Sequence, residues 1–190
     1  MAGHAKLKVR PGGRLEAGSG ADLRALRFGV AVAEFNDFVT DRLLEGALEG
    51  FSDSGVESKQ LEIVKVPGSF ELPIAAKKMA ATGRFDALIC IGCVIRGETS
   101  HYDYVCSETA RGIQLAQLDS GVPVGFCVLT CDTKEQALAR AGGKDTNKGY
   151  AAAIGAIEMA RLSRKYSAPA AAISRGARVA RRSKSAKRRR

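Results

Sequence analysis

Residues 86–103 read DALICIGCVIRGETSHYD, and this stretch passes from an apolar run through a glycine-containing turn into a polar segment. A run as apolar as residues 86–95 is typical of a central parallel strand, which helices cover on both faces. The segment that follows, 102–118, has helical spacing and stops before Gly121. The stretch therefore predicts a buried strand, a turn and a helix in direct succession.

Strand-like and helix-like segments alternate on both sides of this unit. Short apolar or alternating runs predict three more strands, at 27–33, 61–66 and 123–129. Helical spacing appears in four further segments, at 37–51, 70–81, 133–141 and 147–164. This alternation predicts an α/β fold, a three-layer flavodoxin-like sandwich around a central parallel four-stranded sheet. In such sheets ligands bind at the carboxyl ends of the strands, so we expect a site in the turns that follow them.

The turns after the first two predicted strands carry side chains suited to an organic ligand. Phe35 can stack on a planar heterocycle and Asn36 can bind a ligand hydroxyl; the alternative is that Asn36 or Asp37 caps the next helix and Phe35 packs. In the second turn Gly68 permits a close backbone approach, and Ser69 can cap the helix that follows. Glu71 either faces the crevice or simply favours the positive helix start.

The turn after the central strand combines an anion site with a proton-transfer group. Free N–H groups at the start of a helix bind phosphate, and such a start is predicted here. Histidine is the residue type that titrates near neutral pH, and His101 lies on the first turn of this helix. The alternative is a capping box formed by Ser100 and Asp103, with His101 incidental.

Three residues further along the chain are weaker candidates. Phe126 lies in the middle of a predicted strand, where a core position is the alternative. Arg140 ends a short predicted helix, where the helix dipole alone favours a cation. Lys148 opens the last helix, where a cation is mildly unfavourable, and this misplacement indicates a ligand or a partner.

Five motifs occur in a fixed order along the chain. They are AEFN (33–36), VPGSFELP (66–73), GCVIRGETSHYDYV (92–105), GFCVLTCDT (125–133) and RAGGKDTNKG (140–149). In sequence and spacing they resemble the 6,7-dimethyl-8-ribityllumazine synthase family, also called the riboflavin synthase beta-chain family. The resemblance covers about residues 27–162.

The resemblance implies an activity and an assembly. The family condenses 5-amino-6-(D-ribitylamino)uracil with 3,4-dihydroxy-2-butanone 4-phosphate, the penultimate step of riboflavin biosynthesis. It releases phosphate and water and uses no metal or organic cofactor. Its members form homopentamers, some closed into 60-subunit icosahedral capsids, with active sites between subunits. No extra residues lengthen the loop at 142–147, which favours the capsid-forming type.

The resemblance also implies roles for individual residues. The residues that would bind the ribitylaminouracil are Phe35, Asn36, Ser69, Phe70, Glu71, Cys93, Val94, Ile95, Phe126 and Lys148. Butanone phosphate would bind to Arg140 and to the backbone N–H groups of Glu98 and Thr99. His101 would transfer protons as the catalytic residue. Phe126 and Arg140 would reach the site from a neighbouring subunit.

The basic charge of the chain is concentrated at one end. The formal net charge is +10, but residues 164–190 hold eleven Lys or Arg and no acid. The remaining chain has 19 basic and 20 acidic residues, a net charge of −1. This distribution argues against a nucleic-acid-binding fold. We expect a flexible arm at 1–24, a single enzyme domain at 25–165 and a basic, disordered tail at 166–190.

The cysteines and the hydropathy pattern indicate a reducing, non-membrane environment. No apolar run reaches the length of about 18 residues that a membrane span needs, and no apolar segment of a secretory signal follows the amino-terminal arginines and lysines. The five cysteines are odd in number, which predicts reduced thiols and a cytoplasmic protein. Cys90 and Cys93 have metal-like spacing, but alternate faces of one strand would separate their sulfurs. No metal site is therefore expected.

Two other functional classes fit parts of the sequence. A non-catalytic flavodoxin-like binding module would keep the sheet without requiring His101, Arg140 and the phosphate turn together. A shell protein that associates with RNA or another polyanion would use the basic tail alone.

Overall fold

Four parallel strands form the central sheet, as the alternating pattern predicts. The computed structural model describes residues 23–166. The strands are β1 (Phe28–Ala33), β2 (Leu61–Val66), β3 (Ala87–Ile95) and β4 (Val124–Cys131). They lie in the order β2-β1-β3-β4, and every neighbouring pair is parallel. The longest and most apolar strand, β3, thus lies inside the sheet. Its apolar side chains are covered by helices on both faces.

Within residues 23–166, five α-helices cover the two faces of this sheet. They are α1 (Asp37–Asp53), α2 (Leu72–Ala81), α3 (His101–Ser120), α4 (Lys134–Arg140) and α5 (Lys148–Tyr166). Helices α1, α4 and α5 enclose one hydrophobic core, and α2 and α3 enclose the other. The three-layer flavodoxin-like α/β fold is confirmed.

The start of α2 differs slightly from the prediction of a helix over 70–81. A short 3₁₀ turn, Ser69–Glu71, precedes α2, which begins only at Leu72. Pro73 lies in the first turn of α2, where its missing N–H is no loss and its fixed φ suits the helix. The 3₁₀ turn therefore holds the residues after Gly68 at the carboxyl end of β2.

The side chains of Cys90 and Cys93 point to opposite faces of the sheet, as the alternation of side chains along a strand predicts. Cys90 belongs to the core beneath α2 and α3, and Cys93 to the core beneath α1 and α5. All five cysteines are free thiols. Burial raises the pKa of Cys90, Cys93 and Cys127 to about 12.

Helices α1 and α5 approach each other closely at Gly149. A Cβ built at Gly149 would overlap the carbonyl oxygen of Leu43 in α1. The buried Asn147 side chain links the two helices at this point. It donates to the Arg42 carbonyl of α1 at 2.9 Å and accepts from the Gly149 N–H of α5 at 2.8 Å. The close approach therefore depends on a glycine and one buried amide.

The two ends of the domain lie at the edge of the sheet where the strands begin. Leu23, which the sequence assigned to the arm, is buried in the core. Near the end of α5, Arg164 forms an ion pair with Asp86 at 2.8 Å, just before β3, and donates to the Ala25 carbonyl. The rest of the predicted arm and nearly all of the predicted tail lie outside the described residues. Within residues 23–166 no helix is both long and apolar enough to cross a membrane.

Candidate active site

A cavity of about 380 Å³ opens at the carboxyl ends of β1, β2 and β3. This is the edge where the strand–turn–helix pattern predicts a site. Nine of the predicted site residues line it: Phe35, Ser69, Phe70, Glu71, Cys93, Val94, Ile95, Thr99 and His101. Three separate turns thus converge on one space.

The wall formed by the 3₁₀ turn is held tightly against the sheet. Ser69 is buried, and its carbonyl accepts a hydrogen bond of 3.2 Å from the Thr109 hydroxyl of α3. A Cβ at Gly92 would lie 2.5 Å from the Ser69 hydroxyl and 3.0 Å from Leu72. Only glycine at position 92 permits this approach. The backbone between Gly68 and Glu71 is consequently fixed before any ligand enters.

Two aromatic side chains are unusually exposed at this cavity. Phe35 is 71% exposed and Phe70 is 56% exposed, although both line the cavity. The alternative that Phe35 packs into the interior is therefore wrong. Exposed rings beside a concave site are suited to a flat, partly apolar ligand.

Asn36 lies just behind the cavity and holds two of its walls together. Its side chain makes no helix-capping bond, so the capping interpretation is wrong. Instead its amide nitrogen donates to the Cys93 carbonyl at 2.9 Å, joining the β1–α1 turn to β3. Asn36 has φ of 64°, in the left-handed region that asparagine tolerates better than most residues. Cys93 is predicted to bind the ribitylaminouracil, and its carbonyl already accepts this hydrogen bond from Asn36.

We expect Asn36→Ala to lower the free energy of unfolding by about 2 kcal/mol. It removes a hydrogen bond worth about 1 kcal/mol and places alanine in a left-handed conformation at a similar cost. Asn36→Gly should cost about half as much, because glycine removes the bond without the strain. Urea unfolding at one protomer concentration measures both variants. Equal losses would contradict the role of backbone strain.

The loop between β3 and α3 presents free backbone donors beside a histidine. Within residues 23–166 the backbone N–H groups of Glu98 and Thr99 have no acceptor. They precede α3, whose amino end carries a partial positive charge. His101 is the first residue of this helix and lines the cavity. Glu98 itself lies on the loop but outside the cavity lining.

The capping-box alternative for this helix start is wrong. Ser100 occupies the cap position but makes no side-chain cap bond. Asp103 pairs with Arg96 at 3.3 Å instead of belonging to a reciprocal cap. His101 is therefore not an incidental member of a capping motif.

Five predicted residues do not line this cavity: Asn36 and Glu98, described above, and Phe126, Arg140 and Lys148. Phe126 is 49% exposed on the edge strand β4, so its interpretation as a core residue is wrong. Arg140 is exposed at the end of α4, where its guanidinium donates to the Gln136 carbonyl at 2.9 Å. Lys148 is exposed at the first position of α5. A single protomer thus supplies only part of the predicted site.

Four lining residues were not among the predicted site residues: Gly68, Gly97, Tyr102 and Val105. Val105 lies one helical turn after His101, and that i, i+4 spacing was available in the sequence. Tyr102 carried no such signal. It lies beneath the Arg96 guanidinium, 4.0 Å from the ring centroid, and burial raises the pKa of its hydroxyl.

Comparison with known proteins agrees with this arrangement. A model of the 6,7-dimethyl-8-ribityllumazine synthase family matches residues 25–164. A protein of that name from Desulfatibacillum aliphaticivorans is 54% identical over 140 residues, 74% of this chain and 90% of the relative. Another from Syntrophus aciditrophicus (strain SB) is 54% identical over 142 residues, 75% of this chain and 92% of the relative. Because these matches span the whole sheet and every turn of the cavity, the chain belongs to the 6,7-dimethyl-8-ribityllumazine synthase family.

Proposed function

We propose that this chain condenses 5-amino-6-(D-ribitylamino)uracil with 3,4-dihydroxy-2-butanone 4-phosphate to give 6,7-dimethyl-8-ribityllumazine, in the cavity described above. The activity is that of its family, a transferase step of riboflavin biosynthesis. One observation carries the proposal: a single cavity joins exposed aromatic rings, a carboxylate, free helix-start amides and a histidine. The alternative of a non-catalytic binding module is not favoured, because it would not require this combination.

The aminouracil binds on the side of the cavity formed by the first two turns. Phe35, which lines the cavity, stacks on the pyrimidine ring, and Lys148 approaches a ring carbonyl. Ser69, Phe70 and Glu71 hold the ribityl chain, for which Glu71 offers an acceptor to hydroxyl groups. Backbone groups of residues 93–95 meet the polar edge of the ring. The rigid 3₁₀ turn reduces the ordering cost of binding this flexible substrate.

The phosphate of the second substrate binds at the start of α3. The N–H groups of Glu98 and Thr99 are free to donate, and the helix dipole favours an anion there. Arg140 from the neighbouring protomer adds a charged, two-pronged donor. The Glu98 carboxylate takes no part, since only its backbone is needed.

The chemistry in this cavity consists of proton transfers between two well-placed reactants. The aromatic amine attacks the ketone to give an imine with loss of one water, phosphate leaves, an enol forms, and the ring closes with loss of a second water. His101 accepts and returns protons in these steps, an effect worth about 10²–10⁴-fold. Holding the amine and the ketone together supplies most of the remaining rate enhancement.

The complete site forms between protomers of a pentamer. Phe126, Arg140 and Lys148 are exposed and lie away from their own cavity. Tyr104 and Leu118 on α3 are also exposed, at 68% and 67%, and give a second apolar area to cover. We place Phe126 and Arg140 in the cavity of the adjacent protomer. Twelve such pentamers would close into the capsid that the short 142–147 loop favours.

We expect Arg140→Ala to raise KM for the butanone phosphate about 10- to 100-fold. That range corresponds to the loss of one charge-assisted phosphate contact. KM for the aminouracil should change much less. Steady-state measurements with each substrate varied in turn separate the two effects. Arg84→Ala, at the opposite edge of the sheet, is the matched control.

A complementation experiment tests whether the site is shared. Co-assembled His101→Ala and Arg140→Ala protomers should recover activity, because some interfaces combine both native side chains. In a random equal mixture about a quarter of the sites would be intact. Recovery should require subunit exchange, which mass spectrometry can monitor. No recovery after verified exchange would mean that both residues serve the same protomer's cavity.

The charge of the carboxyl-terminal segment supports a second activity, polyanion binding, beside the enzymatic one. The described chain ends at Tyr166, near the Arg164–Asp86 ion pair at the edge of the sheet opposite the cavity. Residues 164–190 carry eleven basic side chains and no acid. We propose that this segment binds RNA or another polyanion.

Deleting residues 167–190 should abolish RNA binding and leave lumazine formation unchanged. Binding by the full chain should weaken linearly with the logarithm of salt concentration, because each neutralised phosphate releases counterions. Anisotropy with a fluorescent RNA oligonucleotide measures this slope. A full-length variant with the tail arginines and lysines changed to glutamine separates charge from length. Undiminished RNA binding by that variant would contradict the proposal.

The domain limits and compartment follow the same reasoning. We propose an enzyme domain at 25–165 between an amino-terminal arm and a basic tail, in agreement with the family match to 25–164. Five free thiols fit a reducing compartment, and we place the enzyme in the cytoplasm.

A further inference from the structure

The Arg96 side chain makes three contacts beside the cavity. Its Nε donates to the Asp132 carboxylate at 2.9 Å, and its Nη1 donates to the Asp103 carboxylate at 3.3 Å. Its guanidinium also lies over the Tyr102 ring, 4.0 Å from the centroid. One planar cation thus links two acids and an aromatic ring.

These contacts join two elements that carry different parts of the site. Tyr102 and Asp103 belong to the first turn of α3, directly after His101. Asp132 belongs to the connection between β4 and α4. The backbone N–H of Arg96 also donates to the carbonyl of Cys131, the residue just before Asp132, at 2.9 Å. Without Arg96, the first turn of α3 would lose these side-chain ties to the connection, and the two carboxylates would lose the cation that they share.

Fold stability does not account for this arrangement. All three charged side chains are about half exposed, and exposed ion pairs contribute little to the free energy of unfolding. A stacked, forked guanidinium does, however, fix orientation in a way that lysine does not. The contacts therefore restrict geometry more than they stabilise the fold.

We infer that Arg96 is a positioning residue that orients His101 by holding the first turn of α3 against the β4–α4 connection. The inference rests on the proposed role of His101 in proton transfer. Arg96 does not line the cavity, whereas its stacking partner Tyr102 and the adjacent His101 both do. The effect of Arg96 on the reaction must consequently pass through these neighbours.

The test compares Arg96→Ala with a matched arginine elsewhere in the fold. Arg84 also forms a two-pronged pair with a carboxylate, Glu62, and lies over an aromatic ring, but at the opposite edge of the sheet. Arg96→Ala should lower kcat on the order of 10- to 100-fold, as expected for a misplaced catalytic group. KM for the aminouracil should change by only about twofold, because the stacking and ribityl contacts persist. Arg84→Ala should retain the native kcat.

A double-mutant cycle distinguishes positioning from an independent contribution. If Arg96 acts through His101, adding Arg96→Ala to His101→Ala should lower kcat no further. Multiplicative losses would overturn the inference, and so would an Arg96→Ala kcat equal to that of Arg84→Ala. A native rate for His101→Ala would instead refute the proposed catalytic role itself.

The lysine variant covers the case in which Arg96→Ala fails to assemble. Arg96→Lys keeps the positive charge but loses the fork and the stacked plane. A kcat loss in this variant, with native size by light scattering and native melting temperature, supports the inference. A native kcat in a natively assembled Arg96→Lys protein overturns it.

Discussion

Replacing His101 with alanine should lower kcat for lumazine formation by about 10²–10⁴-fold, the range for loss of a general acid–base group. His101 starts α3 and lines the cavity beside the free N–H groups of Glu98 and Thr99. It is the one histidine within residues 23–166. The helix-start amides and the 3₁₀ turn remain, so substrate binding should change far less than turnover. Product fluorescence at saturating substrate concentrations measures the loss.

The other histidine provides the control for this experiment. His4 lies outside the described residues, in the predicted amino-terminal arm, and His4→Ala should leave kcat unchanged. His101→Ala should also assemble as the native protein does, because the side chain is exposed. A native kcat with His101→Ala, in a correctly assembled protein, would refute the assignment of proton transfer to this residue.

Gly149→Ala should lower the free energy of unfolding by about 3 kcal/mol, the upper part of the range for overpacking a buried contact. The added Cβ would overlap the Leu43 carbonyl oxygen, which is backbone and has no rotamer to adopt. Helices α1 and α5 would have to separate, weakening the hydrogen bonds that Asn147 makes across them. Urea unfolding at a fixed protomer concentration measures the change, since assembly also affects apparent stability.

Gly155 offers a matched substitution in the same helix. Apart from its chain neighbours and the backbone of its own helix, no atom of the described residues would lie within 4 Å of a Cβ there. Gly155→Ala should therefore raise the unfolding free energy by up to about 1 kcal/mol through helix propensity. If both alanine variants shifted stability equally, close packing at Gly149 would not be the cause.

The fold was predictable because its strongest signals are local. The unbroken apolar run of β3 and the alternation of strands with helices specify a parallel sheet with two covered faces. The turns at strand ends then follow from the general location of ligand sites in such sheets. The position of His101 at a helix start was accessible in the same way.

Other features depend on contacts that no local pattern contains. Phe126 looks like a core residue because the sequence does not specify strand order, and only the order places β4 at the edge. Asn36 meets Cys93 across 57 positions of sequence. Arg96 meets Asp132 across 36 positions. These pairings appear only after the strands are arranged.

The burial of Cys93 bears on how this enzyme tolerates its own reactants. The proposed four-carbon substrate is an electrophilic ketone, and the Cys93 residue borders the space that would receive it. A thiolate there would compete with the amine for the carbonyl carbon. Burial raises the pKa of the Cys93 thiol to about 12, which favours its weakly nucleophilic thiol form at neutral pH. The apolar packing that completes the core thus also protects the catalyst from self-inactivation.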